Sequence, residues 1–212
     1  MRTALKKEDN VETLAIDSSV TLSAGTDEHC NHRHIRHLHQ SDARYLHDLI
    51  VRCPPLDVNS LYAYGLLTLH HSATCFVAVI NEQICGAVTG YIPPEQPDTY
   101  FLWQVAVAPE QQGTGLGSQL LEHVFQHCLL PNKLKYLETT ISPSNTASQQ
   151  LFKRFAQRHH VAFHQSSLFS SDALLPVSQL NGNGSGNVTL NANTSVPTEL
   201  HEPEDLYRLG SW

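Results

Sequence analysis

The chain has 212 residues, 41% of them hydrophobic and with no excess of glycine or proline, enough to bury one core of ordinary size. A formal net charge of −7 argues against the clustered Lys and Arg that neutralise phosphates, so no nucleic acid is expected as a partner. No apolar run approaches the roughly 18–20 residues of a membrane span, residues 1–20 lack the apolar stretch of a secretory signal, and five scattered cysteines suit buried thiols better than disulfides; a cytoplasmic protein acting on a small molecule, with no membrane attachment, is expected.

Residues 1–31 are polar and aperiodic and read as a flexible extension ahead of a single domain spanning 32–212. The stretch HIRHLH (34–39) is a short first strand. SDARYLHDLI (41–50) opens on a Ser/Asp cap and spaces Ala43, Leu46, Leu49 and Ile50 as one helical face. Past Pro54-Pro55, residues 59–70 have helical character, and TCFVAVINEQICGAVTGYI forms a hairpin about Asn81-Glu82. TYFLWQVAV is a fourth strand, in which simple alternation puts Trp103 on the face of Val105 and Val107. Residues 115–129 place Leu116, Leu120, Leu121, Val124, Phe125 and Cys128 on one helical stripe, and KLKYLETTI is a fifth strand with Leu134, Tyr136, Glu138 and Thr140 on one face. A helix over 145–159, capped at Ser144 or Asn145, and a last strand at EDLYRLG (204–210) follow, with a Gly/Asn-rich mobile insertion expected at 181–197.

The segment QQGTGLG sits where the fourth strand gives way to a helix. Gly113, Gly115 and Gly117 lack the Cβ atoms that would hold a ligand off the backbone, and the first amides of the helix have no intrahelical partners, which together make an anion site. A purely structural junction is the alternative. A Rossmann fingerprint would need an acidic residue about 20 positions on, and a P-loop would need Gly-Lys-Ser/Thr; neither is present.

Gln112, Gly113, Thr114, Gly115, Leu116 and Gly117 resemble the Q/R-x-x-G-x-G/A motif of the GCN5-related N-acetyltransferases, and SNTASQQLFKRF resembles that family's Asn-led helix, with Asn145 and Ala147 in register. A narrower resemblance, carried by LDVNSLYAY (56–64), VTGYIPPEQPDTYFLWQVAV (88–107), YLETTISPSNTASQQLFKRFA (136–156) and HEPEDLYRLG (201–210), is to the L-2,4-diaminobutyrate acetyltransferases of ectoine synthesis. The resemblance implies an α/β fold with a mixed, twisted sheet of six to seven strands flanked by helices. It implies acetyl-CoA as co-substrate, held by Gln112 to Gly117 and Asn145, with its pantetheine arm along Val105, Ala106 and Val107. It also implies transfer to the 4-amino group of L-2,4-diaminobutyrate without a metal, in a homodimer.

The acceptor amine is protonated near neutral pH and must lose that proton to attack. Glu138, mid-strand beside the expected thioester, reads as the base, with a structural salt bridge as its alternative. Asp57 reads as a turn residue or, with the resemblance, an amine ligand. Trp103 reads as core or as a pocket wall facing a cationic amine. Asn59, Tyr62 and Thr140 are further substrate candidates, and Glu202 with Glu204 would close the pocket unless they are solvated surface carboxylates. Phe152 stands where the family offers a Tyr to protonate the leaving thiolate, so the thiolate leaves unprotonated or takes a proton from the substrate ammonium, water or another hydroxyl such as a nearby Tyr. The histidine-rich HCNHRHIRHLH (29–39) mixes the extension with a strand whose residues alternate faces, and no physiological metal is expected there.

Overall fold

The computed structural model describes residues 33–174 and 202–212, so the expected extension at 1–31 and insertion at 181–197 lie outside the described residues. Seven strands form one mixed sheet: β1 (Arg33–His37), β2 (Phe76–Ile80), β3 (Gln83–Tyr91), β4 (Thr99–Val107), β5 (Tyr136–Ile141), β6 (Ala162–Phe169) and β7 (Glu204–Gly210), in the spatial order β1-β2-β3-β4-β5-β7-β6. The β2–β3 hairpin turns on Asn81 (φ 49°) and Glu82 (φ 64°), both left-handed as a two-residue primed turn demands. All neighbouring strands are antiparallel except β4 and β5, which run parallel from Thr99↔Tyr136 to Leu102↔Thr139.

Helices cover both faces. On one, α1 (Ala43–Val51) and α2 (Leu61–His70) press Leu46, Leu49, Ile50, Tyr64 and Leu67 onto Val77, Val79, Ala87 and Ala106. On the other, α3 (Leu116–Val124) and α5 (Thr146–His159) bury Leu120, Leu121, Val124, Phe152 and Phe155 against Phe76, Val88, Leu102 and Leu137. Double coverage explains why β2 reads as FVAVI, buried at every position, instead of alternating. The helix expected over 115–129 is regular only to Val124; it goes on as a π-helical turn, Phe125–Leu129, and passes its expected end as a short α4 (Leu130–Asn132), where Pro131 has no N–H to extend the regular ladder and Asn132 Nδ2 donates to the Cys128 carbonyl at 2.8 Å.

Three features depart from the sequence reading. Strand β6 was not anticipated: AFHQSSLF lies on the sheet edge, almost wholly exposed, and its extended form comes from pairing with β7. Helix α2 starts at Leu61, with the Ser60 side chain accepting from Ala63 N at 3.2 Å, so Asn59 stands in the preceding loop. Trp103 does not share the face of Val105 and Val107. Thr89 pairs with Gln104 and Gly90 with Leu102, which leaves Trp103 as the extra residue of a β-bulge. The bulge turns Trp103 to the α1/α2 face, while Val105 and Val107 pack on the α3/α5 face.

Candidate active site

The β4–β5 ladder ends at Leu102↔Thr139, just before the bulge. Beyond it the two strands part, leaving the β5-facing edge of the last β4 residues without a ladder partner. Two cavities open at this divergence, and Pro55, Leu56 and Asn145 line both.

The larger, about 540 Å³, runs from β4 across the glycine segment to α5. Its wall includes Val105, Ala106, Val107, Gln112, Gly113, Gly115, Leu116, Gly117 and Asn145, nine of the ten residues expected to hold the coenzyme. Thr114 is not on the wall; its hydroxyl donates to the Gln111 carbonyl at 2.8 Å and accepts from Arg33 at 3.4 Å. Gly113 (φ 76°) and Gly115 (φ 83°) are left-handed, with open space where a Cβ would point, so glycine is required here by the backbone and not by crowding. Gln119 N makes the bond to Gly115 O that opens the α3 ladder, leaving the amides of Leu116, Gly117 and Ser118 ahead of it, at the positive end of the helix. Asn145 caps α5 by accepting from Ser148 N at 3.1 Å. Ser118 and Arg154 also line this cavity and went unnoticed in the sequence; the i, i+4, i+7 spacing of Ala147, Leu151 and Arg154 on one face of α5 was the available signal for Arg154. The geometry and donors fit an extended thioester ending in a pyrophosphate.

The smaller cavity, about 250 Å³, is lined by Asp57, Asn59, Trp103, Gln104, Thr140, Ser142 and Glu204 together with Phe169 and Leu174. Four expected acceptor residues, Asp57, Asn59, Trp103 and Thr140, thus share one wall. Trp103 stacks on Tyr64, with ring centroids 6.0 Å apart. Ser142 donates to Glu204 at 3.2 Å, and Glu202 accepts from the Ser144 amide at 3.3 Å, so Glu204 faces the cavity while Glu202 braces the loop before α5. Tyr62 is 75% exposed on α2 and lines neither cavity.

Glu138 lines neither cavity either. Its side chain is 6% exposed and sits 3.1 Å from Arg208 on the paired strand β7, and the Arg208 guanidinium lies 3.9 Å over the Tyr136 ring. This is the ion-pair reading of Glu138, in a cross-strand pair that alternation alone did not reveal. Phe152 is buried in the core and away from both cavities. Cys53 lines the larger cavity, but burial pushes its thiol up and the thiol donates to the Val107 carbonyl at 3.3 Å, which makes a poor nucleophile.

The acetyltransferase (GNAT) family model matches residues 34–156, which takes in the glycine segment, the splayed strands and most of α5. The chain belongs to this family. It is 40% identical over 177 residues to the L-2,4-diaminobutyric acid acetyltransferase of Halomonas elongata, covering 83% of this chain and 80% of that one. It is 44% identical over 161 residues to the same enzyme of Marinococcus halophilus, covering 76% and 80% of the two chains. The solved diaminobutyrate acetyltransferase of Paenibacillus lautus, in complex with L-2,4-diaminobutyric acid and coenzyme A, superposes with a TM-score of 0.71 at 26% identity, covering 85% of this chain and 96% of that one. In this acetyltransferase the cavity of the glycine segment and the carboxylate-bearing cavity adjoin at Pro55, Leu56 and Asn145.

Proposed function

We infer that the chain transfers the acetyl group of acetyl-CoA to the 4-amino group of L-2,4-diaminobutyrate, giving N4-acetyl-L-2,4-diaminobutyrate for ectoine biosynthesis. The observation that carries this reading is the meeting of two unlike cavities at the β4–β5 divergence: one of glycine amides at a helix N-terminus, the other walled by Asp57, Glu204 and the indole of Trp103. Amides suit an anionic donor; carboxylates and an aromatic face suit a cationic amine.

The neutral amine attacks the thioester carbonyl, and the β4 backbone near Val105 is placed to polarise the oxygen. Collapse of the tetrahedral intermediate breaks the carbon–sulfur bond and expels the thiolate. Asp57 and Glu204 hold the ammonium and lower its desolvation cost, and its proton passes to a carboxylate or to water. Phe152 has no proton to give, so the thiolate departs as the anion or takes a proton from the attacking nitrogen of the tetrahedral intermediate or from water. Glu138, tied to Arg208, locks β5 to β7 and so fixes Thr140 relative to Glu204.

A homodimer in the cytoplasm completes the proposal. Among the described residues no helix is long and apolar enough to cross a membrane, and α2 exposes Leu61, Tyr62, Leu66 and Leu69, a surface suited to a second copy.

The direct test is acetyl transfer from acetyl-CoA across diaminobutyrate, ornithine, lysine, putrescine and a short peptide. Diaminobutyrate is expected to give the highest kcat/KM, with product acetylated at N4. Preference for the peptide or for putrescine would overturn the acceptor assignment while keeping the family, and turnover of none would mark a coenzyme-binding protein without catalysis.

A further inference from the structure

We propose that Tyr64 and Gln104 are positioning residues that hold Asp57 and Asn59 on the acceptor wall, a role that rests on the acceptor reading of the smaller cavity. Asp57 and Asn59 lie in residues 57–60, which have no regular secondary structure of their own. Three hydrogen bonds supply the missing order. The Asn59 amide donates to the Tyr64 hydroxyl at 3.3 Å, that hydroxyl donates to Gln104 Oε1 at 3.2 Å, and Gln104 Nε2 donates to the Asp57 carbonyl at 2.8 Å. The relay leaves the backbone at Asn59 and returns at Asp57, closing a ring about Val58.

Every group in the ring works within its chemistry: the phenol accepts one bond and donates one, and the amide accepts on oxygen and donates on nitrogen. All three bonds run in the same sense, so each polarises the next. Tyr64 is fully buried and Gln104 is 5% exposed, so water does not readily replace a lost partner. The anchors come from rigid elements. Tyr64 is delivered by α2 just after its Ser60 cap, and Gln104 by β4 beside the bulge, which sets Trp103 and Gln104 next to each other on one face. Trp103 stacks on the ring whose hydroxyl carries the relay, so the wall indole and the loop are held by the same tyrosine. Gln104 lines the cavity, yet both ends of its amide are committed to protein; it acts on the substrate through Asp57 and Asn59.

Steady-state kinetics of the full chain with acetyl-CoA and diaminobutyrate test this. Tyr64→Phe keeps the ring and removes the hydroxyl, and Gln104→Met keeps the length and removes the amide. Each is expected to raise KM for diaminobutyrate about tenfold or more, with KM for acetyl-CoA within about twofold of wild type. A merely structural role would lower the melting temperature and the active fraction without that split. An unchanged diaminobutyrate KM in Tyr64→Phe, or an equal rise in both KM values, overturns the proposal, and Tyr64→Phe decides alone if Gln104→Met does not fold. Wild-type turnover separates the two failures: its absence sinks the functional reading and the relay with it, whereas its presence with unmoved variants sinks the relay only.

Discussion

Glu138 shows how one residue can carry two readings that only its neighbours separate. Its position in YLETTI suits a base, but the β5–β7 register sets it opposite Arg208 at 3.1 Å. That ion pair commits the carboxylate to β7, and Glu138 lines neither cavity. Glu138→Gln is expected to cost roughly 1–2 kcal/mol of stability, less than a fully buried pair would, because the Arg208 side chain is 40% exposed and water can take up its charge. Its kcat is expected to stay within about tenfold of wild type, where loss of a general base is worth roughly 10²–10⁴-fold. Thermal unfolding together with kcat at saturating substrates checks both. A hundredfold fall in kcat at an unchanged melting temperature would return Glu138 to the role of base.

At the scale of elements, α3 does more than aim its N-terminus at the larger cavity. Its other end brings the His123 ring to 4.6 Å from that of Phe76 of β2 and 4.0 Å from the His127 ring, with His37 of β1 tilted against the same Phe76 at 4.6 Å. Burial, then the charges of His127 and His37, lower His123 from the ordinary 6.5 to about 4. The unfolded chain therefore takes up a proton near pH 6.5 that the folded ring refuses until about pH 4. Stability from this group is whole above pH 6.5 and falls as pH drops through that window. Melting temperature measured from pH 7 to 4 is expected to decline less steeply in His123→Gln than in wild type, and parallel curves would show that the ring titrates normally. Strand β6 makes the complementary point about elements: with little apolar surface to bury, AFHQSSLF becomes a strand because β7 offers it a ladder.

In the whole molecule, a seven-stranded sheet covered on both faces is opened at one seam, and two cavities meet where β4 and β5 part. One surface stays apolar: α2 turns Tyr62, Leu66 and Leu69 outward. Light scattering at micromolar concentration is expected to give twice the 23.6 kDa chain mass, and a monomeric mass would leave that face to another partner. The sequence by itself determined the elements with strong local signals: the Asn81-Glu82 hairpin, the helices with apolar stripes, and the glycine segment, whose φ values of 76° and 83° only glycine adopts cheaply. It also carried the part of the larger cavity that lies close in sequence, between Val105 and Gly117. Tertiary structure alone decided what depends on pairing between distant strands. The bulge that turned Trp103 to the acceptor face, the choice of Glu204 over Glu202 for the cavity, the Arg208 partner of Glu138 and the Tyr64–Gln104 relay all join residues far apart in the chain. Periodicity reports which face a residue would occupy on an ideal strand, whereas a single extra residue in one ladder, or a strand inserted between two others, resets the face and the neighbour at once.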